Sequence, residues 1–140
     1  MKTVLAAALL FFTFFSLPAF SATIEARIDI SKQEMKVYKY GRLKHVWKVS
    51  TAKRGYHTPT GTWRPTRMYR KYYSKKYYNS PMPHSIFFYG GYAIHGTGSI
   101  RNLGRPASHG CIRLHPGNAQ TLFNMVKRAG ARNAKVSIVQ

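Results

Sequence analysis

Short runs in which apolar and polar residues alternate recur along this chain of 140 residues, and turn-forming residues separate them. In the run 24–31 every second residue is apolar, which is the period of a strand with one buried face. Gly90 and Gly91 separate two of the later runs and predict a β-hairpin there. Further strands are predicted over 35–40, 43–50, 62–63, 86–89, 92–95, 112–114 and 135–139. This succession of short strands favours a mainly β fold.

One later segment has a helical period instead. Its apolar residues recur at the spacing of one helix face: Ala119, Leu122, Val126 and Ala129. The residues 116–118 predict the start of this helix and its cap, and Gly130 predicts its end. Because 140 residues suit one domain, we expect a single mainly β domain with one helix near its C-terminus.

The first residues have the composition of a targeting sequence. Lys2 precedes an apolar run over 4–15 and a stretch of small residues over 19–22, as is typical of a secretory signal peptide. We therefore predict a signal peptide over 1–21 and a mature domain over 22–140 that is exported to the periplasm or cell wall. An uncleaved membrane anchor is the less favoured alternative, because the apolar run is short for a membrane span. After cleavage we expect no stable span.

Acidic residues are almost absent from this chain. Glu25, Asp29 and Glu34 stand against 23 lysines and arginines, and no acidic residue follows position 34. This composition argues against a hydrolase with paired carboxylates, a carboxylate-bound Mg²⁺ or Ca²⁺, and an Asp-oriented triad in the last two-thirds of the chain. We expect no cofactor.

The net charge of +20 predicts association with polyanions through counterion release. For an exported protein the expected partners are anionic cell-envelope polymers: lipid headgroups, lipopolysaccharide, or wall peptides with free carboxylates. A nucleic-acid partner is not expected, because export and the absence of a recognition helix both argue against it. An equally good interpretation is that the charge only keeps the protein soluble.

Cys111 is the only cysteine, so an intramolecular disulfide is excluded. It follows His109 and Gly110, and His95 lies sixteen positions earlier. A nearby imidazole favours the thiolate that attacks carbonyl carbons, so we expect an ionised, solvent-accessible sulfur. Gly110 allows a tight turn that exposes the sulfur and directs backbone N–H groups at an oxyanion. Without a nearby acid, a main-chain carbonyl or an amide is expected to orient the imidazole.

Two other interpretations of Cys111 remain open at this point. A free cysteine is most often a small buried hydrophobic residue. A metal site is the second alternative, with His95, His109, Cys111 and His115 as ligands, but their spacing matches no zinc pattern. We therefore favour no metal.

The motifs around Cys111 resemble the active-site signature of the L,D-transpeptidases (YkuD domain). The signature is carried by Ile94-His95-Gly96-Thr97 and by Ser108-His109-Gly110-Cys111-Ile112-Arg113-Leu114. Further similar blocks lie at 29–38, 50–61 and 82–88, so that the resemblance extends from about residue 24 to 139. It implies a YkuD-like β-sandwich or barrel with one C-terminal helix.

The resemblance implies a covalent acyl transfer in two steps. Cys111 would attack the carbonyl at the L-centre of diaminopimelate in a tetrapeptide stem of peptidoglycan, expelling the terminal D-Ala. An amine of a second stem or of an attached protein would then resolve the thioester. By position, His95 is the general base and later acid, the carbonyl of Gly96 orients it, and the N–H groups of Gly110 and Cys111 form much of the oxyanion hole.

Several residues are candidates for binding the substrate. Arg113 has the fork geometry to bind a stem-peptide carboxylate, although it could instead be a solvated residue of an edge strand. His109 is expected to shape the turn or gate the pocket, and Ser108 is more a turn residue than a nucleophile. The substrate-binding set that we predict comprises Arg113, His109, Ser108, His84, Tyr72 and Tyr73.

The segment 67–78 interleaves five basic and five aromatic residues. Such a segment can stack on sugar faces near anionic groups. We slightly favour a helix that packs Tyr69, Tyr72, Tyr73 and Tyr77 on the domain with its cations in solvent. In either arrangement the segment could also form a lid over the substrate. Lys75 and Lys76 are expected to contribute to binding of the cell wall.

The leading functional hypothesis is an exported L,D-transpeptidase, which we expect to be a monomer. The same nucleophile with water as acceptor would give an L,D-carboxypeptidase, or an amidase that releases wall-linked protein. A non-catalytic cationic envelope-binding protein, in which Cys111 is simply buried, is the alternative from another class. The acceptor and the bond formed are left open by the sequence.

Overall fold

The computed structural model describes residues 22–140, so the predicted signal peptide lies outside the described residues. Short strands dominate this part of the chain, as predicted. In chain order they are β1 (Ile24–Asp29), β2 (Glu34–Lys39), β3 (Arg42–Lys48), β4 (Gly61–Trp63), β5 (Arg67–Tyr69), β6 (Tyr73–Ser74), β7 (Ser80–Pro81), β8 (Ser85–Tyr89), β9 (Tyr92–Gly96), β10 (Ile112–Leu114) and β11 (Ala134–Val139). The helix α1 (Pro116–Ala129) lies between β10 and β11, and two 3₁₀ turns cover Ile100–Asn102 and Ala131–Asn133.

Two sheets enclose the main core. The first has the order β3-β2-β1-β11-β4 and the second β10-β9-β8-β5. β1 is parallel to β11 and β9 is parallel to β10. Alternate residues of both sheets and one face of α1 share a single buried cluster, to which Ile28, Ile94 and Leu122 belong. The predicted mainly β sandwich with one C-terminal helix is therefore confirmed.

The four-stranded sheet is covered on both faces. Ile86, Ile94 and Ile112 point into the main core. On the opposite face Phe87 and Ala93 form a second, smaller cluster. Side chains of a strand alternate between its two faces. The residues of β9 and β10 that do not point into the main core therefore lie on this second face.

The helix begins at Pro116, as predicted, but its N-cap lies one residue before the predicted cap. His115 is the N-cap, and its Nδ1 accepts a hydrogen bond from the N–H of Gly117 at 3.1 Å, while Pro116 occupies the first helical position. Gly130, with φ of 87°, ends the helix as expected. Within residues 22–140 no helix combines the length and the apolar character needed to cross a bilayer.

The predicted helix over 67–78 is wrong. Arg67–Tyr69 pairs with β8, and Tyr73–Ser74 pairs with β7 in a small hairpin of its own. Tyrosine is common in strands and is only a moderate helix former, so the spacing of these tyrosines does not decide between the two. In the structure the ring of Tyr69 stacks on that of Tyr72, at a centroid distance of 5.5 Å. Both rings pack against Phe87.

Candidate active site

A cavity of about 840 Å³ lies on the outer face of the four-stranded sheet. β9 and β10 form its floor, and the hairpin of β6 and β7 forms one wall. Cys111, His95, Arg113, His109 and Tyr72 all line it.

The register of β9 and β10 explains why Cys111 and His95 share this cavity. Ile112 pairs with Ile94 and Arg113 pairs with His95. Because Ile94 and Ile112 face the core, the residues before and after them face the cavity. No hydrogen bond joins Cys111 to His95 in the described part of the chain. The thiol instead lies 3.8 Å from the carbonyl oxygen of Gly91.

His95 is held as a neutral base. Its Nδ1 lies 2.7 Å from the carbonyl oxygen of Gly96, and a carbonyl only accepts, so Nδ1 carries the hydrogen and Nε2 keeps its lone pair. Burial, with a smaller contribution from Arg113, lowers the pKa of His95 to about 4, against an opposing effect of the Gly96 hydrogen bond. The Gly96 carbonyl thus stands where the sequence predicted an orienting group.

Gly96 is also a packing requirement. A side-chain carbon at this position would lie 3.1 Å from Cγ of Pro83 and 3.2 Å from Cα of Pro116. The close approach of the 83 loop and the helix start to β9 therefore depends on this glycine.

The thiol of Cys111 is protonated at neutral pH, so the predicted ionised sulfur is wrong. The side chain is half-buried and packs against Met82, Phe87 and Ala93. This burial raises the pKa of Cys111, although the Ala93 N–H and the charge of Arg113 act in the opposite direction. The thiol therefore needs a base at the moment of attack.

The described residues do not bring together the ligands of the alternative metal site at Cys111. Within residues 22–140 no group of three or more His, Cys, Asp and Glu side chains is arranged to hold a metal ion. His115, one of the four ligands considered, has its Nδ1 engaged in the cap of α1.

The turn before Cys111 is locked by hydrogen bonds. The hydroxyl of Ser108 donates to the carbonyl oxygen of Cys111 at 2.6 Å and accepts the N–H of Gly110 at 3.0 Å. The hydroxyl of Thr58 donates to the carbonyl oxygen of Gly110 at 2.8 Å. The Gly110 N–H is thus taken by Ser108, which does not match its predicted place in an oxyanion hole. Ser108 is fully buried and positions the turn.

Gly110 is required by its surroundings. Its φ is +135°, a conformation that L side chains rarely adopt, and an added Cβ would lie 2.7 Å from the Tyr92 ring and 2.8 Å from the carbonyl oxygen of His57.

The buried side-chain amide of Gln33 stabilises the turn before Cys111 through Thr51. The side chain of Gln33 accepts the N–H of Thr51 at 2.9 Å and donates to the Thr51 hydroxyl at 2.6 Å. The carbonyl oxygen of Thr51 in turn accepts the N–H groups of Ala107 and Ser108, both at 2.9 Å. Sequence reasoning did not identify Gln33, because nothing local distinguishes it from a solvated turn residue.

His109 lies between two tyrosine rings at the mouth of the cavity. The Tyr77 ring stacks on it at 4.3 Å and 13°, and the Tyr56 ring meets it edge-on at 4.6 Å. Burial first, then the charges of Lys53, Arg113 and Lys76, lower the pKa of His109. Its placement fits a gate that joins the β6–β7 hairpin to the Cys111 turn.

Arg113 faces the cavity and is half-buried. Its guanidinium donates to the carbonyl oxygen of Ala107 at 3.3 Å, and its backbone pairs with Ser50, which covers the open edge of β10. The alternative of a fully solvated edge-strand arginine therefore does not describe this residue.

The structure leaves two of the predicted substrate-binding residues outside the cavity. His84 packs against Phe123 of α1 at a ring distance of 5.4 Å, and burial lowers its pKa. Tyr73 lies on β6 with 51% of its surface exposed. Neither lines the cavity, whereas Tyr72 does.

Several other lining residues were not identified from the sequence. Most lie in strands or turns whose proximity to Cys111 depends on the sheet order. They include Arg67, Met82, Tyr92, Thr97 and Ser99.

The folds of solved L,D-transpeptidases resemble this one. Three examples are an enzyme from Mycobacterium smegmatis (TM-score 0.76, 21% identity, covering 85% of this chain and 59% of that chain), one from Stackebrandtia nassauensis (0.75, 24%, 91% and 60%), and L,D-transpeptidase 3 from Mycobacterium tuberculosis in complex with a faropenem-derived adduct (0.74, 19%, 85% and 61%). This chain therefore spans about three-fifths of the length of these proteins.

A search of curated proteins found no match. A comparison with protein-family models, in contrast, agrees with the fold. The family model described as YkuD, L,D-transpeptidase catalytic domain, matches residues 24–138, which is most of the chain. The chain belongs to the YkuD family of L,D-transpeptidase catalytic domains.

Proposed function

We propose that this protein is an exported cysteine L,D-transpeptidase that acts on peptidoglycan stem peptides through a thioester on Cys111. The observation that carries the proposal is the shared cavity of Cys111 and His95, in which the Gly96 carbonyl holds His95 as a neutral base. Family membership supplies the reaction class.

The first step is acylation of Cys111. The sulfur attacks the carbonyl carbon at the L-centre of diaminopimelate while the thiol proton passes to Nε2 of His95. For this transfer the thiol must leave the Gly91 carbonyl, near which it lies in the structure. The tetrahedral intermediate then breaks its C–N bond, and His95 returns the proton to the departing D-Ala amine.

The second step transfers the acyl group. An amine acceptor attacks the thioester and gives a proton to His95, and the intermediate expels the sulfur, which regains its proton. The positive charge of Arg113 beside the sulfur stabilises negative charge there in both steps.

The oxyanion of both intermediates needs backbone donors. Since the Gly110 N–H is engaged by Ser108, we assign this role to the N–H of Cys111 itself. Loss of one such donor typically lowers the rate about 10²- to 10³-fold.

Release of D-Ala from a disaccharide-tetrapeptide tests the proposal directly. Wild-type protein should release D-Ala, and Cys111→Ser should not. Incubation with faropenem or a carbapenem, followed by intact-mass measurement, should show one adduct on wild-type protein and none on Cys111→Ser. Folded wild-type protein that gives neither D-Ala nor an adduct would contradict the proposal and favour a non-catalytic envelope-binding protein.

The acceptor separates transpeptidase from hydrolase. Under single-turnover conditions with an amine acceptor, the proposal predicts an amide product formed faster than hydrolysis. Equal rates of thioester loss with and without the amine would indicate an L,D-carboxypeptidase or an amidase that uses the same nucleophile.

Export is a separate part of the proposal. Expression of the full chain followed by fractionation should recover the protein in the periplasm or cell wall, with a mature N-terminus near residue 22. Recovery of the uncleaved chain in the membrane fraction would support the anchor instead.

A further inference from the structure

Arg67 extends over the floor of the cavity on the same face as Cys111. Across the four-stranded sheet Arg67 pairs with Phe87, and Phe87 pairs with Ala93. Ala93 in turn lies beside Cys111, because the next residues, Ile94 and Ile112, pair with each other. One cross-strand row therefore runs from Arg67 to the nucleophile.

The guanidinium of Arg67 is held within this row. Its Cζ lies 4.1 Å from the centroid of the Phe87 ring, and one of its N–H groups donates to the carbonyl oxygen of Gly90 at 3.4 Å. An arginine fixed over an aromatic face keeps its remaining N–H groups available for a planar anion such as a carboxylate. Because the chain has no acidic residue after position 34, no side chain of the cavity can neutralise it.

The strand spacing ranks two arginines by where they are anchored relative to Cys111. The guanidinium of Arg67 lies over Phe87, whose backbone is two strands away from the strand of Cys111, or roughly 10 Å at about 4.8 Å per strand. The backbone of Arg113 is closer, at two residues along the same chain segment, or about 6.6 Å. The cavity thus has two arginines anchored at different distances from the nucleophile.

These distances fit two different carboxylates of one donor. The carboxylate of the leaving D-Ala is three bonds from the attacked carbon, within about 7 Å of the sulfur at an attack distance of about 3 Å. The carboxylate at the far end of the diaminopimelate side chain is six bonds away, which adds up to roughly 10 Å from the sulfur when extended.

On the basis of the proposed function, we propose that Arg67 binds the free carboxylate at the D-centre of diaminopimelate in the acyl donor, and so selects donors in which that group is not amidated. Arg113 is then left for the carboxylate of the leaving residue. Lys75 and Lys76 also line the cavity. The amine of Lys76 lies over the Tyr77 ring of the cavity wall at 5.4 Å, and within residues 22–140 neither amine has a contact with Phe87 or Gly90 like that of Arg67.

The test compares two donors and three proteins. The donors are tetrapeptide stems that differ only in a free or amidated D-centre carboxylate. The proteins are wild type, Arg67→Gln and the matched control Arg42→Gln, whose arginine lies on the exposed strand β3. For the free donor, Arg67→Gln should lower kcat/KM about 10- to 100-fold, mostly through KM, as expected for loss of a charge-assisted hydrogen bond. For the amidated donor it should have little effect.

Three outcomes would overturn the inference. Arg67→Gln could lower kcat/KM equally for both donors, which would indicate a structural role at the turn between β8 and β9, where Arg67 contacts Gly90. Wild-type protein could fail to distinguish the donors. With a third donor that is amidated only at the D-Glu carboxylate, the substitution could lose its effect there instead. Arg67→Lys is a further variant that retains the positive charge. Thermal unfolding of each variant shows whether lost activity reflects misfolding or loss of binding.

Calorimetry makes the result independent of turnover. Cys111→Ser and the double variant Cys111→Ser/Arg67→Gln should differ in affinity for the free donor and agree for the amidated donor. If wild-type protein shows no turnover but this difference persists, the proposed function fails and the carboxylate site stands. If turnover is normal and the difference is absent, only the carboxylate site fails.

Discussion

His95 and Cys111 each have the protonation state that burial favours, a neutral imidazole and a protonated thiol. A pair of this kind differs from a resting thiolate–imidazolium pair, because no charge is stored before the substrate arrives. The reaction then depends on proton transfer during attack, and the lone pair on Nε2 of His95 is available over a wide pH range.

The first prediction concerns the acid limb of the pH–rate profile. Because the pKa of His95 is lowered to about 4, the base remains neutral at pH 5.5 and is protonated only as the pH falls through about 4. The acid limb of kcat/KM should therefore lie near 4 and not near 6.5, with about a tenfold loss of rate for each further pH unit. A limb near 6.5 would show that His95 is not the buried base described here.

The same shift affects stability, with a definite sign. In the unfolded chain His95 takes up a proton near its ordinary pKa of 6.5, whereas the folded chain does so near 4. The unfolded state therefore binds more protons between these values, and the free energy of unfolding falls as the pH decreases from 6.5 to 4. Urea unfolding should show a loss on the order of 3 kcal/mol that is absent in His95→Asn.

Thr58 provides a test of the locked turn. Thr58→Val removes the hydroxyl that donates to Gly110 and accepts from the Ala52 N–H. One buried and one partly buried backbone group lose their partner, so the free energy of unfolding should fall by about 1–3 kcal/mol, and acylation by a β-lactam should slow. Thr60→Val is the matched control, because Thr60 is exposed in the same turn. Equal effects of both changes would argue against the lock.

Single residues were predictable where chemistry and spacing act together. Cys111, His95 and the Gly96 carbonyl carry their roles in a motif. The structure places Cys111 and His95 at one cavity and the Gly96 carbonyl against Nδ1 of His95. The ionisation of the sulfur was predicted wrongly because it depends on burial by Met82 and Phe87, which are distant in sequence. The role of Gln33 depends in the same way on a partner that only the fold supplies.

The hairpin of β6 and β7 shows how an element can act on the site. It contributes Lys75, Lys76 and Tyr77 to the cavity wall, and its contact with the Cys111 turn is the stack of Tyr77 on His109. An aromatic pair of this geometry contributes about 0.5–1.5 kcal/mol beyond its buried area, which stabilises the contact between the hairpin and the turn.

Tyr77→Leu should release this contact. Since burial is the main cause of the lowered pKa of His109, removing the ring should raise that pKa towards its ordinary value in an NMR titration. KM for the tetrapeptide donor should increase about 2- to 10-fold, in line with one lost aromatic pair. Tyr73→Leu is the control on the same hairpin, because Tyr73 is 51% exposed and does not line the cavity. An unchanged His109 titration in Tyr77→Leu would contradict the gate.

Elements with a clean period were predictable from the sequence. The runs predicted over 24–31 and 135–139 became β1 and β11, and the helical stripe became α1. The segment 67–78 was predicted wrongly because its tyrosines also match a helical spacing, and the deciding contact, Arg67 against Phe87, joins residues twenty positions apart.

At the scale of the whole molecule, charge is divided between the two sheets. The three carboxylates lie on β1 and β2 of the five-stranded sheet, where each is within 4.0 Å of a lysine or arginine. The sheet that carries the cavity has no acidic residue. Positive charge around the cavity is therefore uncompensated, which suits an anionic polymer approaching that side.

Retention on isolated cell wall tests whether this charge acts locally or only as a total. Lys75→Ser/Lys76→Ser and Lys44→Ser/Lys48→Ser remove the same charge, but the first pair lines the cavity and the second lies on the exposed strand β3. Because exposed ion pairs are weak individually, we expect the first double variant to bind about 2- to 30-fold less well at low salt. The second should stay near wild type.

The salt dependence decides between the two possibilities. Binding that rests on ion contacts weakens as salt increases, with a slope that reflects the number of contacts. The Lys75→Ser/Lys76→Ser protein should therefore show a shallower slope than wild type over a sodium chloride series. Equal losses in both double variants would mean that net charge alone holds the protein to the wall. Retention that does not change with salt would show that the hairpin cations take no part, and that aromatic or hydrogen-bonding contacts hold the polymer instead.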